Sequence, residues 1–208
     1  MKISNCFFHY PKNGFKLAVP ELELKENEIN CLLGDNGCGK STLLKQIMVD
    51  ACEHNIPSKM MLLQRPYLFT GTVLDNLKLV KKLCPHSRID QDKLVKDLDL
   101  TDLLAQSARS LSGGQRQRLA FGLVMLSDCD LIILDEPFNN IDLTSQRLMI
   151  KAIKKYPKTY LLVSHRIRLS RKIGDHFMLM ESGQIVATGD QALFEQHEKL
   201  KLLMEMEG

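Results

Sequence analysis

The chain has 208 residues, of which 44% are apolar and 25% charged, and its formal net charge is +3. This length fits one domain, or a core with an inserted subdomain, that can bury a substantial hydrophobic core. No strong basic tract accompanies the small net charge, so a nucleic-acid partner is not expected. No apolar run approaches the roughly 18 residues that cross a bilayer, so any membrane role is expected to act through a partner.

Short apolar runs alternate with helical patterns along most of the chain. The first 24 residues alternate loosely and predict an antiparallel β edge. Compact apolar runs, bounded by polar or glycine residues, predict strands buried on both faces at 29–33, 60–63, 131–134 and 160–163. Helical patterns occupy residues 40–49, 114–126 and 144–155. The alternation predicts an α/β fold with a mostly parallel sheet.

Residues 73–109 differ from the rest of the chain. They hold two amphipathic helical patterns, at 73–83 and 91–98, with Pro85 breaking the chain between them. We expect a helical subdomain, about 73–112, inserted into the core of a single domain that spans 1–208. Further on, a short strand at 184–187 and a charged helix from residue 191 are predicted. The basic cluster in residues 166–172 is interpreted as a solvated helix face.

The six cysteines, at positions 6, 31, 38, 52, 84 and 129, are scattered and include no C-x-x-C pair. This pattern is more typical of reduced thiols in a cytoplasmic protein than of a disulfide framework or a zinc site. We therefore expect neither disulfides nor a cysteine-bound metal.

Residues 34–41 fit the pattern G-x-x-x-x-G-K-[ST], between a predicted strand and a predicted helix. The three glycines allow backbone conformations that point amide N–H groups at phosphate oxygens, and the helix N-terminus adds partial positive charge. Lys40 is expected to reach the β- and γ-phosphates, and the Ser41 hydroxyl to hold Mg²⁺. The motif predicts a nucleoside triphosphate site.

Two acids follow the apolar run 131–134. Such a strand carries Asp135 to the carboxyl edge of the sheet, where ligands bind in open α/β sheets. Asp135 is expected to hold the Mg²⁺ water shell, and Glu136 to polarise the attacking water. The alternative is that the two acids only begin a turn before Pro137.

Residues 111–115 read Leu-Ser-Gly-Gly-Gln and are followed by a basic run and a long helical pattern. Ser112 can cap that helix, while Gly113 and Gly114 expose amides at its positive end. This motif resembles the signature of ABC (ATP-binding cassette) ATPases, and the resemblance extends over nearly the whole chain. It implies a P-loop NTPase core with a reduced antiparallel β subdomain. It also implies a head-to-tail dimer, in which each signature closes over the ATP of its partner.

The resemblance implies roles for three more residues. Gln64 resembles the Q-loop glutamine that contacts Mg²⁺ and communicates with a membrane partner. His165 resembles the switch histidine that contacts the γ-phosphate. Tyr10 resembles the aromatic residue that stacks on adenine, although a surface tyrosine near an edge strand is the alternative.

These assignments define the predicted site. The catalytic residues are Glu136, His165, Lys40 and Gln64. The metal ligands are Ser41, Gln64 and Asp135. The residues that bind ATP are Tyr10, Gly34, Asp35, Asn36, Gly37, Cys38, Gly39, Lys40, Ser41, Thr42, Ser112, Gly113, Gly114 and Gln115.

The sequence departs from the family pattern in two places. Asn139 and Asn140 stand in the D-loop where many members carry small residues, although Asp142 is kept. Gln64 follows Lys40 by only 24 positions, so we expect a trimmed antiparallel subdomain.

Two functions remain open. The segment 64–77 is similar to the part of transporter subunits that receives a helix of a separate membrane-spanning chain, and its residues Tyr67, Leu68 and Phe69 could line that groove. Alternatively, they pack the helical subdomain. A transporter subunit at the cytoplasmic face of the inner or plasma membrane is the favoured expectation. The alternative is a soluble ABC ATPase of an assembly system, such as iron–sulfur cluster assembly.

Overall fold

A six-stranded sheet organises the protein in the computed structural model, which describes residues 1–11, 14–127 and 129–207. The strands are β1 Lys2–His9, β2 Lys16–Glu23, β3 Ile29–Leu33, β4 Glu53–His54, β5 Lys59–Leu62, β6 Leu131–Asp135, β7 Thr159–Val163, β8 His176–Glu181 and β9 Gln184–Gly189. The sheet has the order β5-β6-β7-β3-β8-β9, and β9 alone among these strands runs antiparallel, to β8. The predicted α/β fold with a mostly parallel sheet is confirmed.

The strands at the centre of this sheet are buried along their length. All residues of β3 and β7 are buried, and β6 is buried up to Asp135. Alternate residues enter different cores: Leu134 belongs to a core that most of the helices cover, whereas Ile133 belongs to the core beneath β1, β2 and the helix Lys40–Met48. A strand buried on both faces has no reason to alternate apolar with polar residues, which explains the continuous apolar runs in the sequence.

A smaller antiparallel sheet, in the order β2-β1-β4, packs over one face of the large sheet. The predicted antiparallel edge is therefore a separate sheet. Its third strand, β4, has only two residues, Glu53–His54, that pair with Ile3 and Ser4. This short strand is the reduced antiparallel subdomain that the brief segment after Lys40 predicts.

The expectation of reduced thiols throughout is wrong for Cys6 and Cys52, which form a disulfide. The two cysteines lie 46 residues apart in sequence, Cys6 on β1 and Cys52 directly before β4, which pairs with β1. Cys31, Cys38, Cys84 and Cys129 are free thiols. The sequence spacing contains no sign of this proximity because it arises from strand pairing.

The helices are α1 Lys40–Met48, α2 Val73–Leu83, α3 Gln91–Asp97, α4 Gly113–Leu126, α5 Leu143–Lys155, α6 Ile167–Ile173, α7 Leu193–Gln196 and α8 Glu198–Met206, with 3₁₀ turns at Thr101–Leu103 and Ala108–Ser110. Helices α2 and α3 and both 3₁₀ turns lie between β5 and α4, in the region where a helical insertion is expected. Thr72 begins α2 with a capping box to Asp75.

Several elements near the end of the chain differ from the sequence-based expectation. Strand β8 was not predicted, and the single charged helix expected from residue 191 is divided at His197. The basic cluster lies on and just before α6, as expected for a helix face. Within the part of the chain that the structure describes, no helix is both long and apolar enough to span a bilayer.

Asn30 gives a test of how this fold is held together. Its side chain is fully buried, accepts a hydrogen bond from the Lys25 amide and donates to the carbonyls of Lys25, Glu28 and Tyr160. Asn30→Ala leaves these buried groups unpaired, so we expect the free energy of unfolding to fall by about 2 kcal/mol. Denaturant unfolding measures this change. Asn55→Ala, at an exposed position, is the control, and equal losses in both variants would contradict the prediction.

Candidate functional site

The loop between β3 and α1 surrounds the ammonium group of Lys40. Lys40 is buried, and its Nζ donates to the carbonyl oxygens of Gly34, at 2.7 Å, and Asp35, at 2.9 Å. Gly34 and Gly39 have φ angles of 146° and 114°, which side chains rarely allow. A Cβ atom on Gly34 would lie 2.3 Å from the Met180 carbonyl oxygen, so only glycine fits there.

Glu136 and His165, which follow β6 and β7, are in direct contact. Glu136 Oε1 accepts hydrogen bonds from the backbone N and from Nδ1 of His165, both at 2.9 Å. Glu136 Oε2 is buried and has no hydrogen-bond partner among the described residues. One carboxylate oxygen is thus fixed by the histidine, and the other is free to accept a proton donor such as water.

Asp135 lies at the end of β6 beside Glu136. Burial, and then repulsion from the Glu136 carboxylate, raise the pKa of Asp135, while Lys40 acts in the opposite direction. A cation close to Asp135 would remove this penalty because it favours the ionised carboxylate.

A cleft of about 440 Å³ brings together most of the predicted residues. The predicted residues that line it are Tyr10, Asn36, Gly37, Gly39, Lys40, Ser41, Thr42, Gln64, Asp135, Glu136 and His165. Ser41, Gln64 and Asp135 supply hydroxyl, amide and carboxylate oxygens, which suit Mg²⁺. Together with the unpartnered Glu136 Oε2, this donor set fits a hydrated magnesium ion.

Asp35 and Cys38 belong to the same loop but line a neighbouring cavity of about 570 Å³. That cavity also contains Lys199 and Glu181, from elements distant in sequence. The loop therefore has two sides, of which one faces the cleft and the other faces α8.

Phe15, Asn139 and Val163 also line the cleft, although they were not among the predicted site residues. The Tyr10 amide donates to the Phe15 carbonyl at 2.9 Å, and their ring centroids lie 6.2 Å apart. A usable signal exists in the sequence, because turn-forming Pro11 and Gly14 lie between the two aromatic residues. Asn139 was noted only as a departure in the D-loop.

The signature residues do not appear among the described lining residues of this cleft. Ser112 and Gln115 form a capping box at the start of α4: Ser112 N donates to Gln115 Oε1 at 2.9 Å, and Gln115 N to Ser112 Oγ at 3.3 Å. Gly114 lies so close to Asp142 and Ser145 that a Cβ atom would be 2.1 Å from Asp142 Oδ2. The signature and the D-loop are therefore packed together, whereas Ser112, Gly113, Gly114 and Gln115 lie apart from the phosphate-binding loop.

A parallel α/β sheet with a glycine-rich phosphate loop and a carboxylate pair at its edge defines a P-loop nucleotide-binding protein. A family model described as ABC transporter matches residues 17–139. The chain belongs to this ABC transporter family, as an ATP-binding subunit, and ATP hydrolysis is characteristic of such subunits.

Known relatives include a transport/processing ATP-binding protein and an import ATP-binding protein. The chain is 27% identical, over 91% of its length, to the lactococcin-A transport/processing ATP-binding protein LcnC of Lactococcus lactis subsp. lactis, and covers 30% of it. It is 32% identical, over 85% of its length, to the molybdate/tungstate import ATP-binding protein WtpC of Pyrococcus abyssi, and covers 58% of it. The chain thus covers less than two thirds of either relative.

A solved structure described as the ATP binding subunit of an ABC transporter shares the fold. It superimposes with a TM-score of 0.80 over 98% of both chains, at 19% identity.

The conformation of the phosphate loop can be tested at Gly39. In Gly39→Ala, a Cβ atom would lie 2.7 Å from Phe15 Cζ on a backbone with positive φ. We expect the free energy of unfolding to fall by about 2 kcal/mol because of this strain, and ATP affinity to fall with it. Denaturant unfolding measures the free energy of unfolding, and calorimetry measures ATP affinity. Gly189→Ala, on β9 and outside the cleft, is the control, because a Cβ atom there would lie at an ordinary contact distance, 3.4 Å, from its nearest described neighbour, Leu193 Cβ. Unchanged ATP affinity in Gly39→Ala would show that the loop tolerates another conformation.

Proposed function

We propose that the chain binds and hydrolyses ATP to drive transport across a membrane, together with a separate membrane-spanning subunit. The contact between Glu136 and His165, beside the loop that holds Lys40, carries the hydrolytic part of this proposal. The three groups come from different strand ends and line one cleft. Such convergence is expected of a site that must hold phosphate and activate water.

The residues of the cleft have separate roles in this proposal. The loop amides and Lys40 hold the phosphates, and Tyr10 with Phe15 offers an aromatic surface for adenine. Ser41, Gln64 and Asp135 would hold Mg²⁺, which supplies positive charge against the phosphate oxygens when bound. Glu136 Oε2 accepts a proton from the attacking water, while His165 keeps the carboxylate oriented through Oε1.

The signature residues of one chain contact the ATP that is bound to a second copy of the chain, or to a paired cassette. Ser112, Gly113 and Gly114 form a capped helix start that lies outside the cleft of their own chain. Two copies in head-to-tail arrangement allow each signature to contact the ATP of its partner. Closure of this dimer around ATP, and its reopening after hydrolysis, would provide the movement that drives transport.

Glu136→Gln tests the hydrolytic role. The amide keeps the size of the side chain but cannot accept a proton, so we expect hydrolysis to fall by about 100-fold or more. ATP affinity should be retained, because Glu136 activates water and does not hold the phosphates. Phosphate release and calorimetry measure the two quantities, with Glu205→Gln, at an exposed position on α8, as the control. Hydrolysis at the wild-type rate would remove Glu136 from the mechanism.

An apolar groove of about 350 Å³ supports the proposal that a membrane partner binds this chain. Tyr67, Phe69 and Leu83 line it with 89%, 56% and 67% of their surfaces exposed. An exposed apolar groove favours a partner that covers it. The groove also reaches Leu63 and Leu123, so it extends beyond segment 64–77. Leu68, by contrast, packs against the core, and its predicted place in the groove is not observed.

An experiment on this groove distinguishes the transport function from the soluble alternative. We expect a tagged wild-type chain, purified from its native host in mild detergent, to retain an integral membrane protein in a near 1:1 ratio. A Tyr67→Ser/Phe69→Ser double variant should lose that protein, because its apolar contact area is removed. Val186→Ser, at another exposed apolar position, is the control. Recovery of soluble partners alone would favour the assembly ATPase and end the transport proposal.

A further inference from the structure

Helix α8, which supplies no residue to the cleft, contacts both sides of the nucleotide site. The α8 strap, defined as Glu198–Met206 together with Glu207, is anchored in the core by the fully buried Leu200. Lys199 lies near its start and Glu207 follows its end. These two charged residues reach different parts of the site, so the strap connects elements that are distant in sequence.

The first contact is with the phosphate-binding loop. Lys199 Nζ lies 2.8 Å from Asp35 Oδ2 and 3.3 Å from Glu181 Oε1. These hydrogen bonds, that of Asp35 first, raise the pKa of Lys199, although burial acts in the opposite direction. Lys199 therefore carries a positive charge between two carboxylates.

Asp35 matters to the loop in two ways. Its carbonyl oxygen accepts a hydrogen bond from Lys40 Nζ, so movement of Asp35 would move the support of that ammonium group. Its carboxylate also places negative charge on a loop that has to receive anionic phosphates. Lys199 holds the residue in place and offsets this charge.

The second contact is with the helix that follows His165. Glu207 accepts hydrogen bonds from the backbone N of Ile167 and, at 2.9 Å, of Arg168, the first two residues of α6. Arg166, at the N-cap, makes no side-chain capping bond within the described structure. The Glu207 carboxylate thus caps α6 from a distance of 40 residues along the chain. In addition, Arg168 Nε donates to the Met204 carbonyl at 2.9 Å.

We propose that the α8 strap positions the nucleotide site, with Lys199 setting the phosphate-binding loop and Glu207 setting the segment that carries His165. Lys199 and Glu207 are positioning residues, since both act through groups that face the cleft. The inference rests on the proposed ATP hydrolysis, and it predicts a different defect at each end of the strap. Loss of Lys199 weakens nucleotide binding, whereas loss of Glu207 slows turnover.

Lys199→Ala is compared with Lys201→Ala, whose side chain is exposed on the same helix. We expect the Kd for ATP to rise about threefold in Lys199→Ala, as is typical of a partly exposed ion pair, and kcat to change little. Lys199→Arg should retain wild-type affinity. If Asp35→Asn is added to Lys199→Ala, affinity should return toward wild type, because no unpaired carboxylate then remains on the loop.

Glu207→Ala is compared with Glu205→Ala, at another exposed position of the strap. Loss of the cap is expected to lower kcat about fivefold, the effect of about 1 kcal/mol, with KM for ATP unchanged. Amide hydrogen exchange at Ile167 and Arg168 should be faster in Glu207→Ala, with or without nucleotide. This second measurement does not depend on hydrolysis.

The outcomes separate the two proposals. If wild-type protein binds ATP but does not hydrolyse it, the proposed function fails, and the Kd and exchange measurements still decide the role of the strap. If wild-type protein hydrolyses ATP while Lys199→Ala has the Kd of Lys201→Ala, the strap proposal is overturned. It is equally overturned if Glu207→Ala matches Glu205→Ala in both kcat and amide exchange.

Discussion

The site depends on one constraint: parallel strands end at the same edge of a sheet. Strands β6, β7 and β3 are neighbours in that order, so the residues after each of them must meet. The Glu136 amide donates to the Val163 carbonyl at 2.9 Å, which joins the ends of β6 and β7 directly. The phosphate-binding loop follows β3 on the other side of β7. The cleft therefore follows from strand order, and the side chains at the strand ends determine its chemistry.

Sequence reasoning succeeded where structure is encoded locally. Apolar runs identify β3, β6 and β7 because strands buried on both faces tolerate little else, and the glycines of residues 34–41 are required by a backbone that side chains cannot adopt. It failed where a contact joins distant segments. The Cys6–Cys52 bond depends on how β4 pairs with β1, and the contact between Lys199 and Asp35 depends on the path of α8. Neither pairing is specified by a motif, so spacing and composition contain no sign of it.

The signature lies apart from the cleft of its own chain and is packed against the D-loop. Asp142 caps α5 by accepting a hydrogen bond from the Ser145 amide at 2.8 Å, and it also packs against Gly114. The D-loop and the start of α4 thus form one packed unit. Asn139, just before it, reaches the cleft with Glu136. In the proposed head-to-tail dimer, a shift of this unit against the partner would be transmitted to Asn139, and this asparagine would then take part in communication between the two ATP sites.

Asp135 and Glu136 are adjacent acids that lie in different environments. Glu136 has a φ angle of 47°, in the left-handed region that non-glycine residues adopt at a cost. In this conformation its carboxylate accepts hydrogen bonds from His165. Asp135 is still in the strand. Burial and the charge of its neighbour disfavour its ionised form, which raises its pKa. In the proposed mechanism the first acid would gain from a bound cation and the second from a proton donor, and the different backbone conformations of the two residues would keep metal binding apart from water activation.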